Sequence, residues 1–529
     1  MRRWNGWGEQ SITYELPDSA ARFIAGLVGP GQPPRDADLA GVVAAVPPAR
    51  LPAHPLVSQD AGTRALHARG QSLPDWIALR SGRVGAFPDG VAAPATAQEA
   101  RALLRFAAEV DARVIPYGGG TSVVGHINPC PEGAPVLTVS MRRMRALLRL
   151  EPASRLARFG AGVCGPDLEA QLRARGYTLG HFPQSFECST LGGWIATRSS
   201  GQQSLGYGRI EQLFVGGSLV SPAGTLELPC FPASAAGPDL RALVLGSEGR
   251  LGLITEATVR VAPLPEAERA EALFFPDWER ALAGTRALAQ SGLALSMLRL
   301  STPAETATNL TLAGHPRAVA ALERLLALGG AGPDKCLLLL VCSGPAAQIR
   351  RTVREARAIA RRHGGVWAGQ ALGQPWMKNR FRTPYLRNTL WELGYAVDTL
   401  ETAATWERVR ALVQALDTAL RGALEPWGER VHVFTHLSHV YPTGSSVYTT
   451  CVYRLAADPD ENLRRWQTLK AAGSRAIVAG GGTISHQHGV GLDHAPYLRA
   501  EKGDLGIAAI RALCAHFDPA GIMNPAKLV

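Results

Sequence analysis

Near the C-terminal end, in the stretch GGGTISHQHGVGLDH, His486 and His488 flank Gln487 just ahead of a glycine-bounded turn, and His494 follows six residues after His488. On an extended strand residues two apart share a face, so both imidazoles would address one ligand while Gln487 points away. Zinc would need a third and a fourth ligand. An imidazole titrating near neutrality is suited to acid/base work without them. A second polar set, HLSHVYPTGSSVYTTCVYR, carries His436, His439 and Tyr448. Tyr453, five residues beyond Tyr448, falls on the opposite face of a regular strand. Residue types and spacing leave metal binding, proton transfer and packing open.

A different chemistry is written in VIPYGGGTSVVGH, Val114 to His126. Three successive glycines after a strand let the backbone approach a ligand with no Cβ in the way. Their N–H groups, with Thr121 and Ser122, form an anion-binding nest whose natural occupant is a diphosphate. A nicotinamide-type fold would need an acidic residue about twenty positions on to hold a ribose. The next strand ends VLTVS with no acid, which argues against that cofactor. Two further segments have the same texture. In PQSFECSTLGGWIATRSSG, small hydroxyls crowd around Gly192 and Gly193, and GSEGRLGLITEATVRVAP sets Gly246, Gly249 and Gly252 at the mouth of an apolar strand. Both suit a polyoxygenated ligand.

These groups must be positioned by folded domains, and 529 residues suffice for two or three. Residues 1–90, broken by GPGQPPRD and VPPARLPAHP, read as an extension wrapping another domain. Residues 91–265 alternate strand and helix signals, with a helix in AQEARALLRFAAEVDA and strands in RVIPY and APVLTVS. Residues 266–474 repeat helix and strand as a second α/β sandwich, and 475–529 close with a helix ended by Asp518-Pro519. The excess of 55 Lys and Arg over 44 Asp and Glu gives +11. Because it is spread along the chain, it predicts no nucleic-acid partner. The arginines of AAQIRRTVREARAIARRHGG read as a solvated helix face, with contact to anionic lipid as the alternative. Eight scattered cysteines without a C-x-x-C pair predict free thiols and a cytoplasmic protein, and CLLLLVC is too short to span a bilayer.

Three glycine and hydroxyl segments in this order resemble the flavin-binding domain of the vanillyl-alcohol oxidase/PCMH superfamily. Within it, the chain resembles the alkylglycerone-phosphate synthase (alkyl-dihydroxyacetonephosphate synthase) family over nearly its whole length. RRWNGWG, HARGQSLPDWIALRSGRVGAFPD and STLGGWIATRSSGQQSLGYGRIEQLFV carry that likeness. The implied fold is α+β: a PCMH-type two-subdomain FAD-binding domain, an α/β cap domain facing the substrate, and a C-terminal helical lobe completing the active site. The implied FAD contacts fall first on Pro116, Tyr117, Gly118, Gly119, Gly120, Thr121 and Ser122. A second set is Gln184, Ser185, Phe186, Glu187, Cys188, Ser189 and Thr190, continued by Thr197, Arg198, Ser199 and Ser200. The third is Glu248, Gly249, Arg250, Leu251, Gly252, Leu253 and Ile254. Gln184 stands where the family commonly has Asp, Cys188 where it has Phe and Arg250 where it has Thr.

By the same resemblance Tyr448, aligned through the pattern Gly444 to Tyr448, is the acid/base tyrosine. Arg387 in TPYLRNTLWELGYAVDTLETAATWERV meets the anionic substrate head, and Arg299 in SMLRLS matches a second family arginine. His486 and His488 match the outer two of three consecutive histidines, with Gln487 replacing the middle one. Flavin-dependent 2-hydroxy-acid dehydrogenases of the superfamily hold a metal with a paired-histidine motif. The comparable stretch from His439 has Ser446 at the second position, so no metal is expected. The implied reaction exchanges the acyl chain of acyl-dihydroxyacetone phosphate for a fatty alcohol through a flavin adduct, giving an ether lipid. The alternative is an FAD-linked dehydrogenase of a 2-hydroxy acid or polyol phosphate. A homodimer with peripheral membrane contact completes the expectation.

Overall fold

The computed structural model describes residues 2–130 and 133–529. Its elements form three principal sheets. The first runs in the order Val57–Ser58, Gly90–Ala92, Val136–Ser140, Arg113–Tyr117, and the last three strands are parallel. Val136–Ser140 is buried along its whole length, as a central parallel strand should be. The crossover is the helix Ala97–Glu109, which Thr96 caps by accepting the Glu99 N–H, and which lays Leu103, Leu104 and Ala107 against the sheet. The end of the chain returns here: Met523 bridges Val114 in parallel and covers the outer edge of Arg113–Tyr117.

The second sheet is antiparallel, in the order Leu147–Glu151, Leu156–Gly160, Leu253–Arg260, Phe214–Ser221, Gly224–Leu228. The third is the largest, with eight strands. Seven run Val366–Gly369, Ala267–Phe275, Cys336–Gly344, Met297–Ser301, His432–Leu437, Gly444–Arg454, Tyr395–Thr405, and Val440–Tyr441 pairs with Gly444–Arg454. Every pairing in it is antiparallel.

Period-2 alternation decides which residues of this third sheet face the core and which face away from it. Leu273, Phe275, Leu298, Leu300, Leu338, Leu340, Val433, Leu437 and Tyr453 share one buried cluster with Val353, Leu412, Leu416 and Leu469 of the helices Ala346–Arg362, Trp406–Gly422 and Pro459–Ala479. The alternate positions Arg299, His436, Tyr448 and Glu401 therefore project from the other face. There Ser301 opposes His436, His436 opposes Tyr448, and Tyr448 opposes Glu401, a row crossing four adjacent strands. Tyr453 thus lies across the sheet from Tyr448.

The residues before 90 cross to the cap. Asn388 accepts the Trp7 N–H at 3.0 Å and donates to the Trp7 carbonyl at 3.0 Å, and Thr389 donates to the Tyr14 carbonyl at 2.6 Å. The helix Pro459–Ala479 runs continuously through positions 474 and 475, joining cap and C-terminal segment without a linker. Among the described residues no helix is long and apolar enough to cross a membrane, and all eight cysteines are free thiols.

Phe275 is fully buried between the third sheet and Gly284 of the helix Trp278–Ala289, far in sequence from every polar residue discussed below. Phe275→Ala should cost about 3–5 kcal/mol in denaturant unfolding. The flavin absorbance of the protein that remains folded should be unchanged.

Candidate active site

The three glycine-rich segments converge. A Cβ on Gly118 would lie 2.3 Å from Thr190 Oγ1, one on Gly119 would lie 2.0 Å from the Cys188 carbonyl oxygen, and one on Gly249 would lie 2.7 Å from Pro116. Backbone bonds complete the assembly, with Glu248 N donating to Ala196 O at 3.0 Å and Gly246 N to Ile195 O at 3.1 Å. The Thr190 side chain caps the helix Leu191–Thr197, whose first turn therefore starts beside the glycine triplet. Gly119 and Gly120 are buried, yet among the described residues their N–H groups and that of Thr121 meet no acceptor. His181, fully buried against Trp194 and 3.3 Å from Ser199 Oγ, likewise keeps Nδ1 without a partner. Orphaned donors on a glycine nest beside a helix N-terminus fit the diphosphate of FAD.

The histidine loop meets this assembly from the cap side, and here the structure corrects the strand expectation. Residues 484–490 form no regular strand, so period-2 alternation does not apply and Gln487 does not point away. All three side chains turn to the fully buried Glu401. His486 Nδ1 lies 3.1 Å from Oε1, Gln487 Nε2 lies 2.7 Å from Oε2, and His488 Nε2 lies 3.5 Å from Oε2. The His486 N–H also donates to the Glu401 carbonyl at 3.1 Å. Gln487 Oε1 accepts the backbone N–H of Ser200 at 3.1 Å, joining the loop to the second glycine segment. Glu248 holds the turn that follows, its Oε1 accepting Val490 N at 2.5 Å and its Oε2 accepting Gly491 N at 2.8 Å, with His126 Nε2 3.1 Å from Oε2.

The donors fix the His486 tautomer. Arg209 Nη1 stands 3.1 Å from Nε2, and a guanidinium only donates. Nε2 therefore accepts, with the Tyr441 hydroxyl also 2.7 Å away, and the ring proton sits on Nδ1 facing Glu401. Glu401, His439 and His486 bring ligand atoms within 4.8 Å of one another, close enough to surround a cation. Arg209 opposes that use, because it draws the free lone pair of His486 away from Glu401. Burial pushes His486, His488 and, further, His439 below the ordinary imidazole value, with Glu401 opposing in each case. Burial would raise Glu401, but the three imidazoles, His486 first, outweigh it and hold the carboxyl well below its usual range. The hydrogen bonds from His486 and Gln487 thus favour the charged form of Glu401, while burial favours the neutral form of the imidazoles around it.

Tyr448 stacks on His436 with ring centroids 4.7 Å apart and meets His488 edge-on at 6.0 Å. Burial pushes its phenol up to about 12. Arg299 does not reach Tyr448 directly; it donates to Glu305 at 2.5 Å and lies 3.0 Å from His436 Nδ1, behind the ring on which Tyr448 stacks. Arg387 lies over Trp76 at 4.1 Å and spends Nη1 on the Gln71 carbonyl at 2.6 Å. Its Nε and Nη2 are shielded from solvent and unpartnered among the described residues. No ion pair ties it to Glu392 or Asp398. Burial lowers this guanidinium to about 10, with Asp398 opposing.

Several side chains in the flavin-contact set are held by protein partners. Gln184 donates to the Arg380 carbonyl at 2.7 Å, Phe186 stacks on Phe381 at 5.1 Å, and Glu187 accepts the Tyr385 hydroxyl at 3.1 Å. Ser189 accepts the Trp194 indole at 2.7 Å, Thr197 donates to the Gly193 carbonyl at 3.0 Å, and Arg198 pairs with Glu211 at 2.8 Å. Arg250 donates to the Met523 carbonyl at 2.6 Å, while Leu251, Leu253 and Ile254 are packed in core clusters. Ser185 closes its own turn through its carbonyl, which Cys188 N and Ser189 N share. Sequence reasoning missed Glu401, Arg209 and Tyr441. The available signal for Glu401 was an acid inside the apolar alternation of YAVDTLETAAT; nothing local marked Arg209.

Comparison with known proteins agrees with this geometry. The profile described as "FAD binding domain" matches residues 88–228, and "FAD linked oxidases, C-terminal domain" matches 264–528. A solved p-cresol methylhydroxylase shares the fold, with TM-score 0.69 at 13% identity over 89% of this chain and 93% of that one. Fold and site together define an FAD-dependent flavoenzyme of PCMH-type α+β architecture. The alkyldihydroxyacetonephosphate synthase of Dictyostelium discoideum is 32% identical over 482 residues, covering 89% of this chain and 78% of that protein. A solved alkyldihydroxyacetonephosphate synthase superposes with TM-score 0.84 at 27% identity over 100% of this chain and 99% of that one. The chain belongs to the alkyldihydroxyacetonephosphate synthase family.

Burial lowers His181 to about 3 and His432 to about 4, and the Arg299 and His436 partners overcome burial to hold Glu305 down to about 2. All three shifts are downward, so the stability they contribute is complete above the unfolded values of 6.5 and 4.5 and is lost as pH falls. The unfolding free energy from denaturant titrations should be flat above about pH 7 and fall steadily below it, by on the order of several kcal/mol at pH 4. Glu305→Gln should flatten the portion below pH 4.5.

Proposed function

We propose that this enzyme exchanges the acyl chain of an acyl-dihydroxyacetone phosphate for a fatty alcohol, forming the alkyldihydroxyacetone phosphate for which its relatives are named. The observation that supports it most is Arg387, a shielded guanidinium whose Nε and Nη2 have no partner among the described residues and whose charge reaches the Tyr448 phenol. Leaving a buried cation without a counter-ion is costly, and a phosphate oxygen pair is the planar fork's natural partner. FAD, when bound between the glycine segments, would supply a reversible partner for the reacting substrate carbon, chemistry that needs no net electron transfer.

The chain's own residues do the rest. Arg387 holds the phosphate, and Tyr448 takes or returns the proton next to the substrate carbonyl. His488, edge-on to Tyr448 and loosely held by Glu401, relays that proton. His486 keeps Glu401 ionised and correctly oriented. Arg299, Glu305 and His436 position the Tyr448 ring from behind. An acyl-chain substrate also favours contact with a membrane surface, which the exposed Arg350, Arg354, Arg361 and Arg362 and the exposed Leu325 and Leu328 support.

The FAD-loaded enzyme, given acyl-dihydroxyacetone phosphate and a labelled fatty alcohol, should release one fatty acid per labelled ether product. Arg387→Ala should lower kcat/KM about 10- to 100-fold, or ~1.5–3 kcal/mol, mainly through KM. Anaerobic bleaching of the flavin by a 2-hydroxy acid, with no alcohol incorporated, would instead establish an FAD-linked dehydrogenase.

A further inference from the structure

Gln487 is the one member of the loop whose amide orientation is set from both ends. A backbone N–H only donates and an ionised carboxylate only accepts, so Ser200 N fixes Oε1 and Glu401 fixes Nε2, at 3.1 Å and 2.7 Å. Ser200 lies in the second glycine segment and Glu401 in the cap strand Tyr395–Thr405, so this side chain spans the two halves of the site. The close approach to Oε2 is thereby taken. His488 Nε2, which shares that oxygen, stands off at 3.5 Å, beyond a good hydrogen bond. His486, by contrast, keeps Oε1 at 3.1 Å and is held at its other nitrogen by Tyr441 and Arg209.

We propose that Gln487 is a positioning residue: by holding the close hydrogen bond to Glu401 Oε2 it keeps that carboxylate from drawing His488 in, and so makes His488 rather than His486 the proton carrier. This deepens the proposed function and rests on it only for the use to which the proton is put. The groups facing His488 come from several elements. They are Glu401 and Asp398 of the strand Tyr395–Thr405, Tyr448 of Gly444–Arg454, Lys470 of Pro459–Ala479, and His486 and His494 of its own loop. Only Glu401 is within ion-pair distance of it among the described residues. Freed of Gln487, the Oε2 lone pairs have His488 as their nearest donor, and a carboxylate drawn to an imidazole raises its proton affinity.

The test follows the histidine Cε1–H signals of the FAD-loaded protein across pH by NMR, assigning His488 by the signal lost in His488→Gln. It needs no substrate. Gln487→Met, similar in volume and without either hydrogen bond, should raise the His488 midpoint by about one pH unit. Gln487→Glu, which sets a second carboxylate beside it, should raise it further. Gln487→His offers one donor and one acceptor and should leave it within a few tenths of the original. An unchanged His488 midpoint in a folded, yellow Met or Glu variant overturns the proposal, as does an equal rise in the His variant. The acid limb of kcat/KM should move with the midpoint. A midpoint that moves without that limb leaves Gln487 in its positioning role and contradicts instead the part assigned to His488 in the reaction.

Discussion

A single buried carboxylate organises this site. Glu401 is buried and, among the described residues, has no arginine or lysine in contact; its charge is held by N–H donors from one loop, chiefly His486 and Gln487. A carboxylate in that setting is tolerable only if its lone pairs are filled, and an unfilled one would be neutralised by a proton. Filling them forces the loop 484–490 into one conformation and brings three side chains of successive residues to the same point. Arg209 and Tyr441, supplied from elsewhere in the chain, complete the arrangement from the far side of His486. The cap sheet, the loop and the glycine segments are tied together through this group.

The same principle, close approach with no slack, governs the flavin side. The glycine triplet is pressed against the backbone of Cys188 and the hydroxyl of Thr190, so its glycines are required by the protein's own packing as well as by a cofactor diphosphate. Glu248 belongs to the third glycine segment but spends its carboxylate on Val490 and Gly491, clamping the turn that follows the histidines. The glycine-rich domain and the histidine loop are therefore joined through Glu248, and the position of one sets that of the other. The returning tail adds to this, with Met523 on the edge of Arg113–Tyr117 and Asn524 donating to the Glu248 carbonyl at 2.7 Å.

Much of this was legible in the sequence, and the reason is locality. Glycine runs after strands, hydroxyl clusters and the helix spacing of AQEARALLRFAAEVDA are short-range signals, and the elements appear where those signals lie. The opposite facing of Tyr448 and Tyr453 followed from strand period alone, because Gly444–Arg454 is regular. That rule failed at HQH for the corresponding reason: the segment is a loop whose direction is set by Glu401, some 85 residues earlier. Glu401 and Arg209 are long-range partners, and no local pattern announces which buried acid will meet which histidine. The side-chain partners of Arg198, Arg250 and Phe186 are long-range in the same way, since Glu211, Met523 and Phe381 lie outside the glycine segments that carry them.

Glu401 is an ionised hub whose proton donors are already chosen. Neutron diffraction on deuterium-exchanged crystals of the FAD-loaded enzyme near neutral pH measures this directly. It should find no deuterium on either Glu401 oxygen, deuterium on His486 Nδ1 and none on its Nε2, and the Gln487 amide ND₂ turned to Glu401. Deuterium on Glu401, or on His486 Nε2 with Nδ1 bare, would contradict the account.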